Sequence, residues 1–417
     1  MNNIVKNGFK KTCLAVVCSM SLLMTACNDD DDDRRIPVTP DERIFLSQQP
    51  YTADTFAEAS NIQVMRYNMP NVRGDLAEAT AMVLYPNTPR PRDGWRVVVW
   101  EHGTVGSGDS CAPSRNLLNT NFKTLASSLL AQGYVIIAPD YEGLGTRGIH
   151  PYLHLNSAGQ SAIYAVRAFK QQQGNNFNGA WVSVGQSQGG HASLATAQVA
   201  DNDPNYKAAV AAAPASSLGV IISQVAPQAL KDLVDAGQVE TAKAVYAELL
   251  AYAAYVAVGI KAYEPDFNYR NIFSERAGVV AEKAEGSTGE NGLCLSPLIG
   301  AYIEDINLYL NENEDRTVLD YPGLVNDFQN NPSVAKFLTE NQPGTEKINV
   351  PVMIIQGTAD MAVPYPITEA LQQNLADLGT SVTFVPVENA SHTQAIVQSN
   401  TQLVDFIREH MPANTPR

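Results

Sequence analysis

The sequence predicts an α/β fold in which helices flank a mostly parallel central sheet and a helical insertion interrupts the core. Between residues 96 and 215, strand-like and helix-like segments alternate at short spacing, which is typical of parallel strands joined by crossover helices. The strand candidates at 96–100 and 134–138 are continuous apolar runs, as expected of strands buried on both faces. The alternation stops over 216–349 and then resumes, which indicates an insertion.

The first half of the core can be assigned in chain order. Strand-like runs at 62–67 and 79–85, separated by Pro70, Asn71 and Gly74, predict an opening antiparallel hairpin. The elements after it alternate between strand and helix, and we expect them at 96–100 (strand), 116–131 (helix), 134–138 (strand), 157–172 (helix), 181–186 (strand) and 207–215 (strand).

The insertion at 216–349 consists mostly of helix-like stretches, such as 226–234 and 239–262. Its most apolar run, 249–260, is too short to cross a bilayer and better suits a buried or groove-lining helix. The core then closes with a strand at 352–356, a helix at 367–378, a strand at 382–387 and a helix at 393–410. We therefore predict a core formed by 61–215 and 350–417 and a helical cap or lid formed by 216–349.

The N-terminus predicts export and lipid attachment. Residues 1–26 have a basic flank followed by a short apolar stretch, typical of a signal peptide. Leu-Met-Thr-Ala before Cys27 resembles the bacterial lipoprotein cleavage box, which implies that Cys27 becomes the first mature residue and carries lipid. The alternative is a simple secretory signal. Residues 27–60, with their aspartate run, predict an acidic tether, so we expect a body anchored to the membrane of a bacterial cell envelope, facing the periplasm or the cell surface.

Charge and cysteine content narrow the possible partners. The formal net charge is −15, which argues against nucleic acid as a partner. Only Cys111 and Cys294 lie in the predicted folded part, so one disulfide is possible and its formation is left open. Two cysteines provide no zinc framework. His150 and His154 are four residues apart, but Pro151 lies between them and no acid pair completes a site, so we predict no metal and no cofactor.

The most informative motif is G-Q-S-Q-G-G at 185–190. It lies between a β-favouring run and a helix-favouring segment, the setting in which G-x-S-x-G becomes a nucleophile elbow. Small residues at 185 and 189 would relieve crowding between the strand and the helix. The pattern predicts Ser187 as a nucleophile; the alternative is an ordinary Gly/Ser turn.

A serine nucleophile needs a base and a group that orients the base. His392 follows the strand candidate 382–387 in a short polar loop, where open α/β sheets keep their sites. Asp360 follows the strand candidate 352–356 and lies between the serine and the histidine in chain order. We therefore predict His392 as the base and Asp360 as the acid, with Glu388 and Asp140 as weaker candidates for the acid.

The oxyanion of a tetrahedral intermediate requires aimed N–H groups. The N–H of Gln188 directly follows the nucleophile at a helix N-terminus. The loop His102-Gly103-Thr104 after the strand 96–100 would supply a second donor. We predict the N–H of Thr104 for that role, with the N–H of Gly103 as the reserve.

These residues together resemble a known family, the α/β-hydrolases, and within it the secretory lipase and esterase branch. The resemblance rests on H-G-T-V-G at 102–106, P-D-Y-x-G-L-G at 139–145, G-Q-S-Q-G-G at 185–190, G-T-A-D-x-x-V-P at 357–364 and S-H at 391–392. It implies the α/β-hydrolase fold, a Ser187, Asp360 and His392 triad, and an oxyanion hole near Thr104 and Gln188. Asp140 and Tyr141 would shape a loop near the site. The insertion matches only by position and helical character.

The resulting expectation is a serine hydrolase that cleaves carboxylic esters of small molecules or lipids through an acyl-enzyme. A serine peptidase on the same fold is one alternative, and a surface lipoprotein that binds a ligand without turnover is another. The complete Ser, Asp, His order disfavours the second, since a binding module has no need of all three. The sequence leaves open which ester is cleaved, whether the cap moves and the oligomeric state.

Overall fold

The computed structural model describes residues 43–313 and 315–413. The predicted signal peptide, the lipid site Cys27 and residues 27–42 of the predicted tether lie outside the described residues. Everything described belongs to a single compact unit.

A nine-stranded mixed sheet forms the centre of this unit, in the order β1-β2-β3-β5-β4-β6-β7-β8-β9. The pairings β1–β2, β2–β3 and β3–β5 are antiparallel, and all others are parallel. The predicted α/β class with a mostly parallel sheet is thus confirmed. The strands are β1 (Phe45–Pro50), β2 (Ala59–Pro70), β3 (Leu76–Pro86), β4 (Trp95–Glu101), β5 (Val135–Pro139), β6 (Phe177–Gln186), β7 (Tyr206–Ala212), β8 (Val352–Gly357) and β9 (Val382–Val387).

The start of the sheet corrects one boundary. The predicted hairpin is present as β2 and β3, with Ile62 opposite Leu84. The tether prediction of 27–60 extends too far, because residues 45–50 form β1 and pair with β2. As an edge strand with mostly exposed side chains, β1 lacks the apolar alternation that identifies strands in a sequence.

Helices cover both faces of the sheet. Alternate strand residues such as Val98 and Ile136 form one core with apolar side chains of α1 and α12, while α2 and α3 pack together and against the strands. The predicted closing helix is broken at Ser399 into α11 and α12. The helices are α1 (Thr120–Ala131), α2 (Leu155–Gln173), α3 (Gln188–Val199), α4 (Leu218–Val220), α5 (Ala226–Asp235), α6 (Val239–Lys261), α7 (Glu275–Glu285), α8 (Leu295–Glu312), α9 (Pro332–Glu340), α10 (Tyr365–Asp377), α11 (Gln394–Gln398) and α12 (Asn400–His410).

Helices α4–α9 lie between β7 and β8, where the sequence predicts the insertion, and they share a second apolar core. Its centre is α6, which contributes the buried residues Leu250, Tyr255 and Val258. Within the described ranges, α6 is the one helix long and apolar enough to cross a membrane by length and composition, with a mean hydropathy of 1.3. Since 61% of that apolar window is buried inside the protein, its composition is accounted for by packing.

A disulfide joins Cys111, in the segment after β4, to Cys294 at the start of α8, with the two Cα atoms 5.4 Å apart. Cys111 is buried, and Cys294 also pairs by its backbone with Gly106. The bridge therefore ties the loop beside β4 to the helices between β7 and β8.

Replacing both cysteines with serine is expected to lower the free energy of unfolding by about 4–5 kcal/mol, because the bridge closes a loop with a sequence separation of 183 residues. Chemical denaturation with and without reductant measures the effect. Reductant should lower the midpoint of the wild-type protein and leave that of the double variant unchanged. Thiol titration should first show that the reductant has opened the disulfide. If the wild-type midpoint still does not move, the prediction is contradicted.

Candidate active site

Ser187 occupies the sharp turn between β6 and α3. Its backbone has φ 60° and ψ −118°, which is unusual for a residue other than glycine. The turn is possible because its flanking glycines allow close backbone contact: a Cβ on Gly185 would lie 1.9 Å from the backbone O of Gly189, and one on Gly189 would lie 1.8 Å from the backbone O of Glu101. The predicted strand, turn and helix around this serine are all present.

Gly189→Ala is expected to destabilise the protein by about 3 kcal/mol or more, because the new methyl group would meet backbone atoms of Glu101 and His102 that cannot move aside independently. Thermal unfolding measures the change. The matched control is Gly300→Ala on α8, where an added Cβ meets nothing within 4 Å and alanine favours the helix. Equal melting temperatures for the two variants would show that the close approach at the elbow is not needed.

His392 and Asp360 are joined by a short hydrogen bond. Nδ1 of His392 lies 2.8 Å from Oδ2 of Asp360, and the Asp360 side chain is fully buried. The other carboxylate oxygen of Asp360 accepts the N–H groups of Ala362 and Val363, each at 2.9 Å. Both oxygens of Asp360 are occupied, so the carboxylate is a fixed acceptor. It holds the ring proton of His392 at Nδ1, and Nε2 is therefore unprotonated.

Of the two weaker candidates for the acid, one is buried against other partners and the other is exposed. Asp140 is buried and accepts the Thr80 hydroxyl at 2.6 Å and the Ser114 N–H at 2.8 Å, and burial raises its pKa to about 6. Glu388 is exposed. The His392 loop is held beside the nucleophile strand, since Nε2 of Gln186 donates to the backbone O of His392 at 3.1 Å.

The candidate oxyanion donors flank the nucleophile. Gln188 is the first residue of α3, where N–H groups have no acceptor within the helix. Gly103 approaches the nucleophile so closely that a Cβ on it would lie 3.7 Å from Cβ of Ser187. Among the residues that the structure describes, no acceptor receives the N–H of Thr104 or Gln188. Both groups are therefore available to a ligand.

A buried polar cluster beneath this loop was not predicted from the sequence. Nδ1–H of His150 donates to the backbone O of Glu142 at 2.8 Å, so its Nε2 accepts the side-chain N–H of Gln188 at 3.0 Å. Burial lowers the pKa of His150 to about 4, which keeps the ring neutral as this pattern requires. Nearby, the hydroxyl of Tyr141 donates to the backbone O of His102 at 3.0 Å. These contacts fix the loops around Ser187, as the family resemblance implies for Asp140 and Tyr141.

The structure gives no support to a metal pair at His150 and His154. Both ring nitrogens of His150 are hydrogen bonded within the protein, and Nδ1 of His154 accepts the Ser157 N–H at the start of α2. Over residues 43–313 and 315–413, no group of three or more His, Cys, Asp or Glu side chains is arranged to hold a metal ion.

Two cavities meet at Ser187. The larger, of about 450 Å³, is lined by Ser187, His392 and Thr104 together with residues of α1 and α11. The smaller, of about 80 Å³, also reaches Ser187 and is lined mainly by apolar side chains from the helices between β7 and β8, among them Leu218, Ile221, Leu249, Val256, Phe337 and Leu338. A substrate bound at the serine thus has one wider and one narrow apolar space available.

The sheet order, the elbow after β6 and the histidine loop after β9 define an α/β-hydrolase. The chain belongs to the secretory lipase family, which matches residues 116–416. Membership supports the hydrolysis of a lipid or other ester and an extracellular or envelope location. A comparison with curated protein sequences gives no match.

Solved structures support the fold. The closed state of Candida antarctica lipase A is 18% identical, with a TM-score of 0.65, over 90% of this chain and 83% of that chain. The rice cell wall degrading esterase LipA from Xanthomonas oryzae is 17% identical, with a TM-score of 0.61, over 89% of this chain and 98% of that chain. At these identities the likeness concerns the fold alone.

Proposed function

We propose that the protein is a serine hydrolase that cleaves carboxylic esters through an acyl-enzyme, with Ser187 as nucleophile, His392 as base and Asp360 as the acid that orients the base. The observation that carries the proposal is the 2.8 Å contact between His392 and Asp360, together with the strained Ser187 on the same cavity as His392.

The reaction would proceed in two halves. Nε2 of His392 takes the proton of Ser187 as Oγ attacks the acyl carbonyl, and Asp360 stabilises the imidazolium that forms. The N–H groups of Gln188 and Thr104 receive the developing oxyanion, with the N–H of Gly103 as the reserve. The alcohol leaves with the proton from His392, and water then repeats the sequence on the acyl-enzyme.

The apolar lining of the smaller cavity favours an acyl or aryl group beside the serine. Each methylene that leaves water contributes about 0.8 kcal/mol, or roughly a fourfold gain in kcat/KM. Initial rates on p-nitrophenyl esters of increasing acyl length should therefore rise by about this factor per methylene until the cavity is filled, and then level off. A flat profile across the series would contradict an acyl site in this cavity.

A serine peptidase on the same fold is the second candidate, because the triad chemistry is shared. The same assay distinguishes the two when aminoacyl p-nitroanilides are measured beside p-nitrophenyl esters of the same acyl groups. The products, p-nitroaniline and p-nitrophenolate, are each followed by their own visible absorbance. The apolar lining of the smaller cavity favours esters with plain acyl chains. Amide turnover without a preference for esters would overturn the esterase proposal.

We also propose that Cys27 carries a lipid that anchors the protein in a bacterial envelope. The support is the cleavage-box resemblance and the acidic stretch that follows it. An envelope location agrees with membership of the secretory lipase family. Expressed at full length in a bacterial host, the protein should partition with membranes, and Cys27→Ser should release it or leave its signal uncleaved.

A further inference from the structure

Two hydroxyl groups beside the nucleophile form an isolated pair. Oγ1 of Thr104 lies 2.6 Å from the phenolic oxygen of Tyr152. Among the residues described, neither hydroxyl has another hydrogen-bond partner. The pair holds two protons and its one hydrogen bond uses only one of them. The other proton is therefore left with no acceptor in the protein.

The chemistry of the two groups decides which proton is free. A phenol is the more acidic group and the weaker acceptor, because its oxygen lone pairs are shared with the ring, so Tyr152 donates and Thr104 accepts. Tyr152 is buried, at 3% exposure, against the rings of His150 and Tyr255. The nearby carboxylate of Glu248 already accepts the hydroxyl of Tyr252. The free proton thus belongs to Thr104.

The position of this proton relates it to the reaction. Thr104 follows Gly103, on which a Cβ would lie 3.7 Å from Cβ of Ser187, and it lines the larger cavity together with Ser187 and His392. Tyr152 lines the smaller cavity, which also reaches Ser187. The hydroxyl pair therefore lies on the side of the serine where the two cavities meet and where the candidate oxyanion donors are found.

We propose that the Thr104 hydroxyl is a third oxyanion donor, held in position by Tyr152, in addition to the backbone N–H groups. This inference rests on the proposed ester hydrolysis. The hydroxyl donates a hydrogen bond to the anionic oxygen of the tetrahedral intermediate and keeps its proton. When the intermediate collapses, the C–O bond of the alcohol breaks and His392 supplies the proton to the leaving oxygen. Thr104 would be a catalytic residue and Tyr152 a positioning residue.

The test compares two substitutions at Thr104. Thr104→Val keeps the side-chain shape and removes the hydroxyl, and it should lower kcat by about 10²-fold with little change in KM. Thr104→Ser keeps the hydroxyl and should retain most of kcat. A trifluoromethyl ketone, which forms a tetrahedral adduct, should bind Thr104→Val more weakly by a factor close to the loss in kcat/KM. Thr124→Val, on the exposed face of α1, is the matched control.

Tyr152 is tested in a double-mutant cycle. Tyr152→Phe alone should lower kcat, and it should have no further effect in the Thr104→Val protein, because its hydroxyl acts only through Thr104. If Tyr152 had a structural role instead, Tyr152→Phe would lower kcat by the same factor in the wild-type and in the Thr104→Val protein. Wild-type kcat in Thr104→Val, or equal losses in Thr104→Ser and Thr104→Val, would overturn the inference. Absence of ester turnover by the wild-type protein would instead contradict the proposed function.

Discussion

Ser187→Ala is expected to lower kcat for ester hydrolysis by about 10⁵-fold to 10⁶-fold, the cost seen when a serine nucleophile is removed from a complete triad. The substitution removes one oxygen from a side chain on the cavity surface and leaves the turn intact, because alanine meets no greater steric penalty than serine at φ 60°. Thermal unfolding should therefore change little while activity is lost. A fluorophosphonate probe should label the wild-type protein, and peptide mapping should locate the adduct on Ser187.

Ser127→Ala is the matched control, since this serine lies on α1 and donates to the backbone O of Lys123. It should label and hydrolyse esters as the wild type does. A non-catalytic ligand-binding lipoprotein, the other class considered from the sequence, would fail to label at all. If Ser187→Ala labels as well as the wild type does, the nucleophile assignment is wrong.

The sequence predicts the sheet and its connections well, because buried parallel strands such as β4 and β5 contain continuous apolar runs, and Gly94 and Gly133 precede them. It predicts the positions of Ser187, Asp360 and His392 for a related reason. Each follows a strand at the same edge of the sheet, so chain order alone indicates that they converge.

Other features depend on contacts between distant segments and leave no local pattern. The strand β1 is exposed and is recognised only by its pairing with β2. The contact between His150 and Gln188 joins residues 38 apart in the sequence, and Thr104 meets Tyr152 across 48 residues. Burial lowers the pKa of His150, but nothing in the sequence distinguishes it from an ordinary loop histidine. Such polar pairs are set by packing, which neither spacing nor composition encodes.

Buried carboxyl groups near the elbow are a second feature that the sequence does not reveal. Glu101 is fully buried, and of its oxygens Oε1 accepts the Thr196 hydroxyl at 2.7 Å, while burial raises its pKa well above the usual range. Burial also raises the pKa of Glu142 to about 7. Asp360 is also buried, and backbone N–H donors are directed at it. It is distinguished from the other acids by its contact with His392 rather than by its residue type.

Asp360→Asn is expected to lower kcat by about 10⁴-fold, because the amide would hold His392 in the wrong tautomer. Oδ1 of the carboxylate accepts two fixed backbone N–H groups, those of Ala362 and Val363, whereas Oδ2 accepts one side-chain N–H besides that of His392, from Gln356 at 3.0 Å. An asparagine is therefore expected to direct its own oxygen towards the two backbone donors. Its NH₂ group then faces Nδ1 of His392, where Oδ2 now lies at 2.8 Å. Nδ1 must become an acceptor, and the ring proton moves to Nε2, the atom that should take the proton of Ser187.

The loss should appear in kcat with KM nearly unchanged, because Asp360 is buried behind the histidine and acts on the transition state. Stopped assays of ester hydrolysis across pH should show part of the activity returning at high pH, where hydroxide can replace the missing base. Glu388→Gln is the matched control, because it removes the same charge from an exposed candidate acid in the His392 loop. If Glu388→Gln proves as damaging as Asp360→Asn, the acid has been assigned to the wrong carboxylate, and the tautomer argument does not hold for this site.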